Sequence, residues 1–311
     1  MQDRKVLVTG AGGFLGTSVL KELLDKGYKN VIAIANSKVT DLRRQTAVES
    51  MMNDIKPDVI VHLAGRVGGI GINKENPGRF IYDNLLMGAN LIEEARQQDC
   101  SKFVMVGTVC SYPKFTPVPF KEEDIWSGYP EETNAPYGIA KKTLMQMIMS
   151  YKQQYNFNGV NLIPVNMYGP HDDFDPSSSH VIPALILKIH NAMKQAPHTD
   201  LSVWGTGSAS REFLYVEDSA EAIVKAMESH NDPEPINIGT GSEITIKNLV
   251  ETISDLMGFD GKIVWDSSKP DGQPRRCLDT NRAEKRLGFK AKTSLKEGLK
   301  TTIEWFRSAN D

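Results

Sequence analysis

Three side chains of the 311-residue chain could move protons around a carbonyl: Thr108, Tyr137 and Lys141. Tyr137 and Lys141 stand four residues apart near the start of an amphipathic segment, so a helix there would put phenol and ammonium on one face. The ammonium field then favours the phenolate and makes the tyrosine a competent proton donor and acceptor. Thr108 follows the apolar run Lys102 to Val106 and could donate to a substrate carbonyl from the end of that strand. Such an i,i+4 pair is common, and a fortuitous one is the plain alternative. Cys110 and His180 add a thiol and an imidazole. Alone, the first reads as a small buried hydrophobe and the second as a cap or a hydrogen-bonded loop residue. Aimed at one carbon, the two could remove and return a proton.

A second constellation opens the chain, where Thr9-Gly10-Ala11-Gly12-Gly13-Phe14-Leu15-Gly16 joins a strand beginning at Lys5 to a helix beginning at Phe14. Glycines at 10, 13 and 16 suit a tight turn, a close approach of backbone to a pyrophosphate, and close helix packing, in that order. The amides of the helix N-terminus then receive the anion. The end of the second strand discriminates between nicotinamide cofactors, because a carboxylate there accepts from a ribose 2′-OH and repels a 2′-phosphate. Asn36, Ser37 and Lys38 stand there with no acid among them, which favours NADPH over NADH. Asp41 and Leu42 sit where an adenine-contacting pair could lie, although Asp41 could instead cap the following helix.

The elements that must hold these residues alternate in steps of ten to thirty residues. Strands are expected at Lys5 to Thr9, Val31 to Ala35, Asp58 to Leu63, Lys102 to Val106 and Gly159 to Pro164, with helices at Phe14 to Lys26, Arg43 to Asn53, Ile81 to Gln97 and Tyr137 to Tyr155. This is the pattern of βαβ units: an α/β fold with a Rossmann-type parallel sheet covered by helices on both faces. The Pro-rich stretch from Ser111 to Tyr137 reads as a long loop covering a site at the strand ends. Beyond Asn166 the elements are shorter: helices at Val181 to Met193, Ser219 to Met227, Ile246 to Met257 and Ser294 to Arg307, and strands at Leu201 to Trp204 and Ile236 to Ile238. Residues 1–165 are therefore expected to form mainly a cofactor-binding Rossmann domain, and 166–311 mainly a smaller C-terminal substrate lobe, with some later elements returning to the sheet.

Composition agrees with one soluble enzyme-sized chain. Hydrophobic residues make up 40%, enough for a sizeable core, and 36 basic against 39 acidic residues leave a net charge of −3, so no overall positive field attracts nucleic acid. Three cysteines are too few for a disulfide scaffold. No stretch approaches a membrane span and no leader precedes the first strand, so a cytoplasmic protein is expected, with neither membrane nor nucleic-acid partner. His171, Asp172, Asp173 and Asp175 crowd into a Pro-bounded loop without regular ligand spacing, which reads as a turn and not a metal site. Lys188, Trp204, Arg211 and Arg276 could grip a nucleotide diphosphate and its base, although each alone reads as a surface or packing residue.

Together the Gly10 to Gly16 loop, Thr108 and the Tyr137 to Lys141 pair resemble the extended short-chain dehydrogenase/reductase family of nucleotide-sugar epimerases, dehydratases and reductases. The likeness extends through His62 to Ile70, Cys110 to Lys114, Asn134 to Lys141, Asn166 to Asp172, Ser179 to Leu185, Val203 to Gly205, Arg211 to Leu214 and Lys269 to Gly272, essentially the whole chain. The Asn166 to His180 stretch is similar to the branch that acts on GDP-4-keto-6-deoxy-D-mannose with NADPH. The resemblance implies that Cys110 is the base and His180 the acid of epimerisation at C3 and C5, and that Tyr137, helped by Lys141 and Thr108, donates the proton of the later reduction at C4. It further implies cofactor contacts from Gly10, Gly12, Gly13, Phe14, Leu15, Gly16, Asn36, Lys38, Asp41, Leu42, Leu63, Ala64, Lys141, Pro164, Asn166, Met167 and His180. GDP-sugar contacts are implied for Lys188, Trp204, Arg211, Asp271 and Arg276, and a homodimer through the Ile81 to Gln97 and Tyr137 to Tyr155 helices.

Two departures from the family pattern stand out. Thr108-Val109 replaces a pair of serines, which stiffens χ1 and removes a possible polar contact near C3 or C5. Lys188 replaces an arginine, exchanging a bidentate fork for a point charge. Two competing functions are a 4,6-dehydratase or 4-epimerase of the same fold and a catalytically silent nucleotide-binding scaffold. Against the first, Val109-Cys110 stands where a dehydratase carries an acidic pair; against the second, all five candidate catalytic side chains are present.

Overall fold

The computed structural model describes residues 1–195, 200–268 and 273–310. The first four strands are β1 (Val6–Thr9), β2 (Val31–Ile34), β3 (Val59–His62) and β4 (Lys102–Val106), and the helices between them are α1 (Phe14–Asp25), α2 (Gln45–Ile55), α3 (Ile70–Glu75) and α4 (Pro77–Gln97). Helix α5 (Ala135–Tyr155), strands β5 (Gly159–Pro164) and β6 (Asn166–Tyr168), α6 (Val181–Met193), β7 (Leu201–Trp204), β8 (Ser210–Tyr215) and α7 (Val216–Ser229) follow. The chain continues through β9 (Ile236–Ile238), β10 (Glu243–Thr245), α8 (Ile246–Met257), β11 (Ile263–Asp266), α9 (Asn281–Leu287) and α10 (Leu295–Asn310).

Six strands form one parallel sheet in the order β2-β1-β3-β4-β5-β9. The chain reverses direction of growth between β1 and β3, which is where an open α/β sheet forms its ligand crevice, outside the carboxyl ends of the strands. Val6–Thr9, Val59–His62 and Lys102–Val106 are buried throughout, as strands covered on both faces must be. Helix α1 packs with α7, while α4 packs with α5 and α2.

A second core gathers Tyr168, Ile182, Ile186, Ile189, Leu249, Val250, Ile253, Leu299, Ile303 and Phe306. It lies with a three-stranded sheet, β10-β8-β6, and the pair β11-β7. Among the described residues no helix is long and apolar enough to cross a membrane.

Helix α4 begins at Pro77 and not near Ile81, because proline at the first helical position has no amide to leave unpaired. The stretch from 107 to 134 is a loop with two short 3-10 turns, Val109–Ser111 and Glu122–Trp126, and it is sewn into the protein. Phe120 N donates to Cys277 O at 2.8 Å, Asp279 N donates to Phe120 O at 2.9 Å, and the Tyr112 hydroxyl donates to Asn237 Oδ1 at 2.7 Å. The Pro-rich connection thus ties the end of β4 to the segment after residue 272.

Candidate active site

The glycine loop is shaped by contacts that exclude a side chain. Gly10 has φ +71°, and a Cβ there would lie 2.6 Å from Ala64 N; at Gly16 a Cβ would lie 2.2 Å from Gly10 O. Gly12 and Gly13 are exposed, and Gly13 starts α1 with no side-chain cap over its first turn. Phe14 and Leu15 form that turn. Backbone brought this close, with free helix amides beside it, fits a dinucleotide pyrophosphate. Leu63 N and Ala64 N reach back to Thr9 O and Thr9 Oγ1 at 3.2 and 3.4 Å, so the loop after β3 forms the neighbouring wall.

At the end of β2, Asn36 and Lys38 are exposed, and Asn36 Oδ1 accepts from Lys38 N at 2.9 Å, turning the chain outward. Asp41 does not cap α2, whose N-cap is Arg44. Its carboxylate instead takes Arg43 Nε and Nη2 at 2.8 and 2.9 Å, and these hydrogen bonds hold it below the ordinary carboxylate range. Leu42 is buried in the main core, and its carbonyl accepts from Asn90 Nδ2 at 3.1 Å.

The proton-handling groups meet at the C-terminal end of β4. Thr108 Oγ1 accepts from Cys110 N at 3.2 Å and caps the 3-10 turn that carries the thiol. That turn packs on the start of α5 at Gly138, where a Cβ would lie 2.3 Å from Cys110 O. The Ser111 hydroxyl donates to Gly138 O at 2.9 Å across the same contact. A glycine immediately after Tyr137 therefore brings the phenol to Thr108 and Cys110.

Lys141 is buried and donates from Nζ to Val106 O at 3.0 Å, and burial lowers it to about 8. Tyr137 is not lowered by Lys141, in contrast to the expectation from spacing. Burial raises it and the Cys110 sulfur adds to this, while a hydrogen bond with Thr108 opposes. The Lys141 ammonium is directed to the strand-end carbonyl, and burial outweighs any help to the phenol from its charge. A raised phenol stays protonated in the free enzyme.

His180 precedes α6 and makes no capping hydrogen bond, so the cap alternative is removed. Its loop docks on the loop after β3: Gly69 N donates to Ser178 O at 2.9 Å, and a Cβ on Gly69 would lie 2.8 Å from Ser179 O. The ring is solvent-accessible, and the protein around it lowers its pKa while Asp173 opposes. Asp173 and Asp175 turn this loop, Asp173 Oδ2 accepting from the Ser178 hydroxyl at 2.5 Å and Asp175 Oδ1 from Ser177 N at 2.8 Å. Pro164 ends β5 beside Ile238, and Asn166 and Met167 follow on β6, with Asn166 Nδ2 donating to Glu212 O at 3.3 Å.

Lys188 Nζ lies 5.6 Å from the ring centroid of Trp204, whose face is largely exposed. Arg211 on β8 donates to Ser210 O at 2.6 Å. Arg276 faces the thiol, with Nη1 3.9 Å from Cys110 Sγ. Asp271 lies outside the described residues. Val109 is buried in the main core, so the valine takes no polar contact from the cleft, contrary to what its place beside Thr108 suggested.

Sequence reasoning passed over two buried acids that organise these loops. Asp83 on α4 accepts from Arg43 Nη1 at 3.2 Å and Arg66 Nε at 2.6 Å, joining the loops after β2 and β3. Glu212 on β8 accepts from Gly241 N and Leu278 N, both at 2.7 Å. The available signal was a carboxylate inside an otherwise apolar stretch, which is rarely buried without partners.

The model of the "NAD dependent epimerase/dehydratase family" matches residues 6–239. A relative from Oryza sativa subsp. japonica named "Probable GDP-L-fucose synthase 1" is 41% identical over 303 residues, covering 97% of this chain and 92% of the relative. A crystal structure of a GDP-L-fucose synthetase from Naegleria fowleri bound to NADP is 30% identical, with TM-score 0.89 and coverage of 99% of this chain and 94% of that one. A crystal structure of a GDP-6-OMe-4-keto-L-xylo-heptose reductase from C. jejuni is 28% identical, with TM-score 0.92 and coverage of 100% and 99%.

Proposed function

The chain belongs to the NAD dependent epimerase/dehydratase family, and from that premise we propose that it converts GDP-4-keto-6-deoxy-D-mannose to GDP-L-fucose with NADPH. Epimerisation at C3 and C5 precedes reduction at C4. The observation that carries the proposal is the Cys110 turn, which puts a thiol beside the Thr108–Tyr137 pair where a simple carbonyl reductase has no use for a base. Residues 1–165 serve mainly the cofactor and 166–311 mainly the sugar nucleotide, with α7 and β9 returning to the sheet.

The C4 carbonyl acidifies the C–H bonds on either side of it. Cys110 as thiolate takes the proton from C3 or C5, the electron pair moves to the C4 oxygen, and Thr108 and Tyr137 donate to that developing enolate. His180 returns a proton to the carbon from the opposite face. The negative charge developing beside His180 favours proton uptake by the ring during the reaction. When bound along Gly10 to Gly16, NADPH supplies the reducing equivalent at C4. Tyr137 gives its proton to the C4 oxygen, and buried Lys141 keeps a positive charge close to the strand end.

The cofactor preference is testable at one side chain. With no carboxylate after β2, kcat/KM should favour NADPH over NADH, and Lys38→Glu should weaken NADPH by about tenfold while leaving NADH nearly unchanged. Equal losses for the two cofactors would show that Lys38 is a bystander.

Burial of Lys141 predicts a pH limb. The ammonium is present below its pKa of about 8 and is lost as pH rises through that value, so kcat/KM for reduction should be level near neutrality and fall above about pH 8. A profile level to pH 9.5 would remove Lys141 from the reduction. Stoichiometric loss of NADPH absorbance on adding the 4-keto sugar separates this function from a dehydratase or 4-epimerase, which consumes no net cofactor. A reductase of a related GDP-sugar that does not epimerise is the second reading, favoured by the likeness to the heptose reductase.

A further inference from the structure

We propose that Arg276 is the counter-ion of the Cys110 sulfur, placed to stabilise the negative charge the sulfur carries when it acts as a base. The inference rests on the base role proposed for Cys110 and supplies that base with its charge.

The guanidinium is aimed and fixed. Nη1 lies 3.9 Å from Cys110 Sγ, Nη2 donates to Gln273 Oε1 at 2.9 Å, and Nε is buried with no hydrogen-bond partner. Gln273 in turn donates from Nε2 to Lys114 O at 2.8 Å, four residues beyond the cysteine, so the cation and the thiol hang on the same loop. The backbone is held from its other side, since Glu212 N donates to Arg276 O at 3.1 Å and Glu212 Oε2 accepts from Leu278 N at 2.7 Å.

Among the described residues no carboxylate pairs with Arg276, whereas its neighbour Arg275 is paired with Glu243. A guanidinium in a part-buried site is stabilised by a negative group that faces it, and among the described residues the group Arg276 faces is the Cys110 sulfur. A guanidinium next to a thiol favours the thiolate, the form able to take a proton from carbon. The family likeness gave Arg276 only a grip on the GDP-sugar, yet here two of its nitrogens are spent on Gln273 and Cys110.

Iodoacetamide alkylation of the folded enzyme, without sugar, reads the thiolate fraction directly. Cys100 and Cys277 are buried and pushed up to about 12, so they serve as unreactive internal references. The rate at the Cys110 peptide would be followed by mass spectrometry from pH 6 to 9.5 in wild type, Arg276→Gln, Arg276→Lys and Gln273→Leu, with a melting curve on each. Arg276→Gln should slow alkylation about tenfold at pH 7, with the gap closing towards pH 9.5, where the thiol ionises without help. Arg276→Lys should fall between, and Gln273→Leu, a change at a positioning residue, should shift the profile the same way by less.

A wild-type rate in Arg276→Gln at pH 7 would overturn the inference, as would a loss equal at all pH values, which reports access and not charge. If Arg276→Gln fails to melt cooperatively, an unchanged profile in Gln273→Leu overturns it instead. Failure of the proposed base role shows elsewhere, as deuterium wash-in surviving Cys110→Ser, and leaves the alkylation profile unaffected.

Discussion

In Cys110→Ser, incorporation of solvent deuterium at C3 and C5 of the 4-keto sugar is expected to fall by about a thousandfold, the order of a lost general base. Serine nearly conserves volume, and the Thr108 Oγ1 bond to the backbone amide of residue 110 does not depend on the side chain, so the turn should persist. What changes is the acid. An alcohol holds its proton far more tightly than a thiol, and little base remains at neutral pH. NADPH binding should survive, and slow reduction should yield a GDP-6-deoxyhexose of the original configuration. His180→Asn should differ: proton abstraction can still begin, but delivery on the opposite face fails and the reduced product again lacks the L configuration. Mass spectrometry for deuterium and NMR for configuration read both variants. Deuterium uptake at the wild-type rate in Cys110→Ser would assign the base elsewhere, with His180 next in line.

Tyr137→Phe should show the opposite separation. The phenyl ring keeps the edge-to-face packing on Phe80, whose centroid lies 6.5 Å away, so the fold and the cofactor site should be little disturbed. The hydroxyl that donates to the C4 oxygen is gone, and net reduction should drop by about a thousandfold while wash-in at C3 and C5 persists at least in part. Burial raises this phenol, so it stays protonated and carries the proton that the C4 oxygen needs. Reduction at the parental rate would end the proposed role of Tyr137.

Local pattern carried much of the fold. Lys102–Val106, Gly159–Pro164, Val181–Met193 and Ile246–Met257 form where their apolar runs begin and end, because burial on both faces or on one helical stripe is written into adjacent residues. Strand β8 was hidden, since Arg211 and Glu212 interrupt its apolar run and only the distant amides of Gly241 and Leu278 make a buried glutamate tolerable there. The same division holds at the cleft. Tyr137 with Lys141, and Thr108 with Cys110, are readable because turn geometry joins near neighbours. The contact between Arg276 and Cys110 spans 166 positions, and no spacing rule reaches that far. Nor does spacing say that Lys141 bonds the Val106 carbonyl in preference to lowering the phenol, or that Val109 turns into the core.

Wild-type enzyme incubated in D₂O with NADPH and GDP-4-keto-6-deoxy-D-mannose tests the proposed function most directly, by counting deuterium on the reduced sugar against cofactor consumed. The expected result is one NADPH oxidised per sugar and a product of GDP-L-fucose configuration with deuterium at both C3 and C5. A reduced product without deuterium at either carbon and with the original configuration would contradict it and leave a C4 reductase.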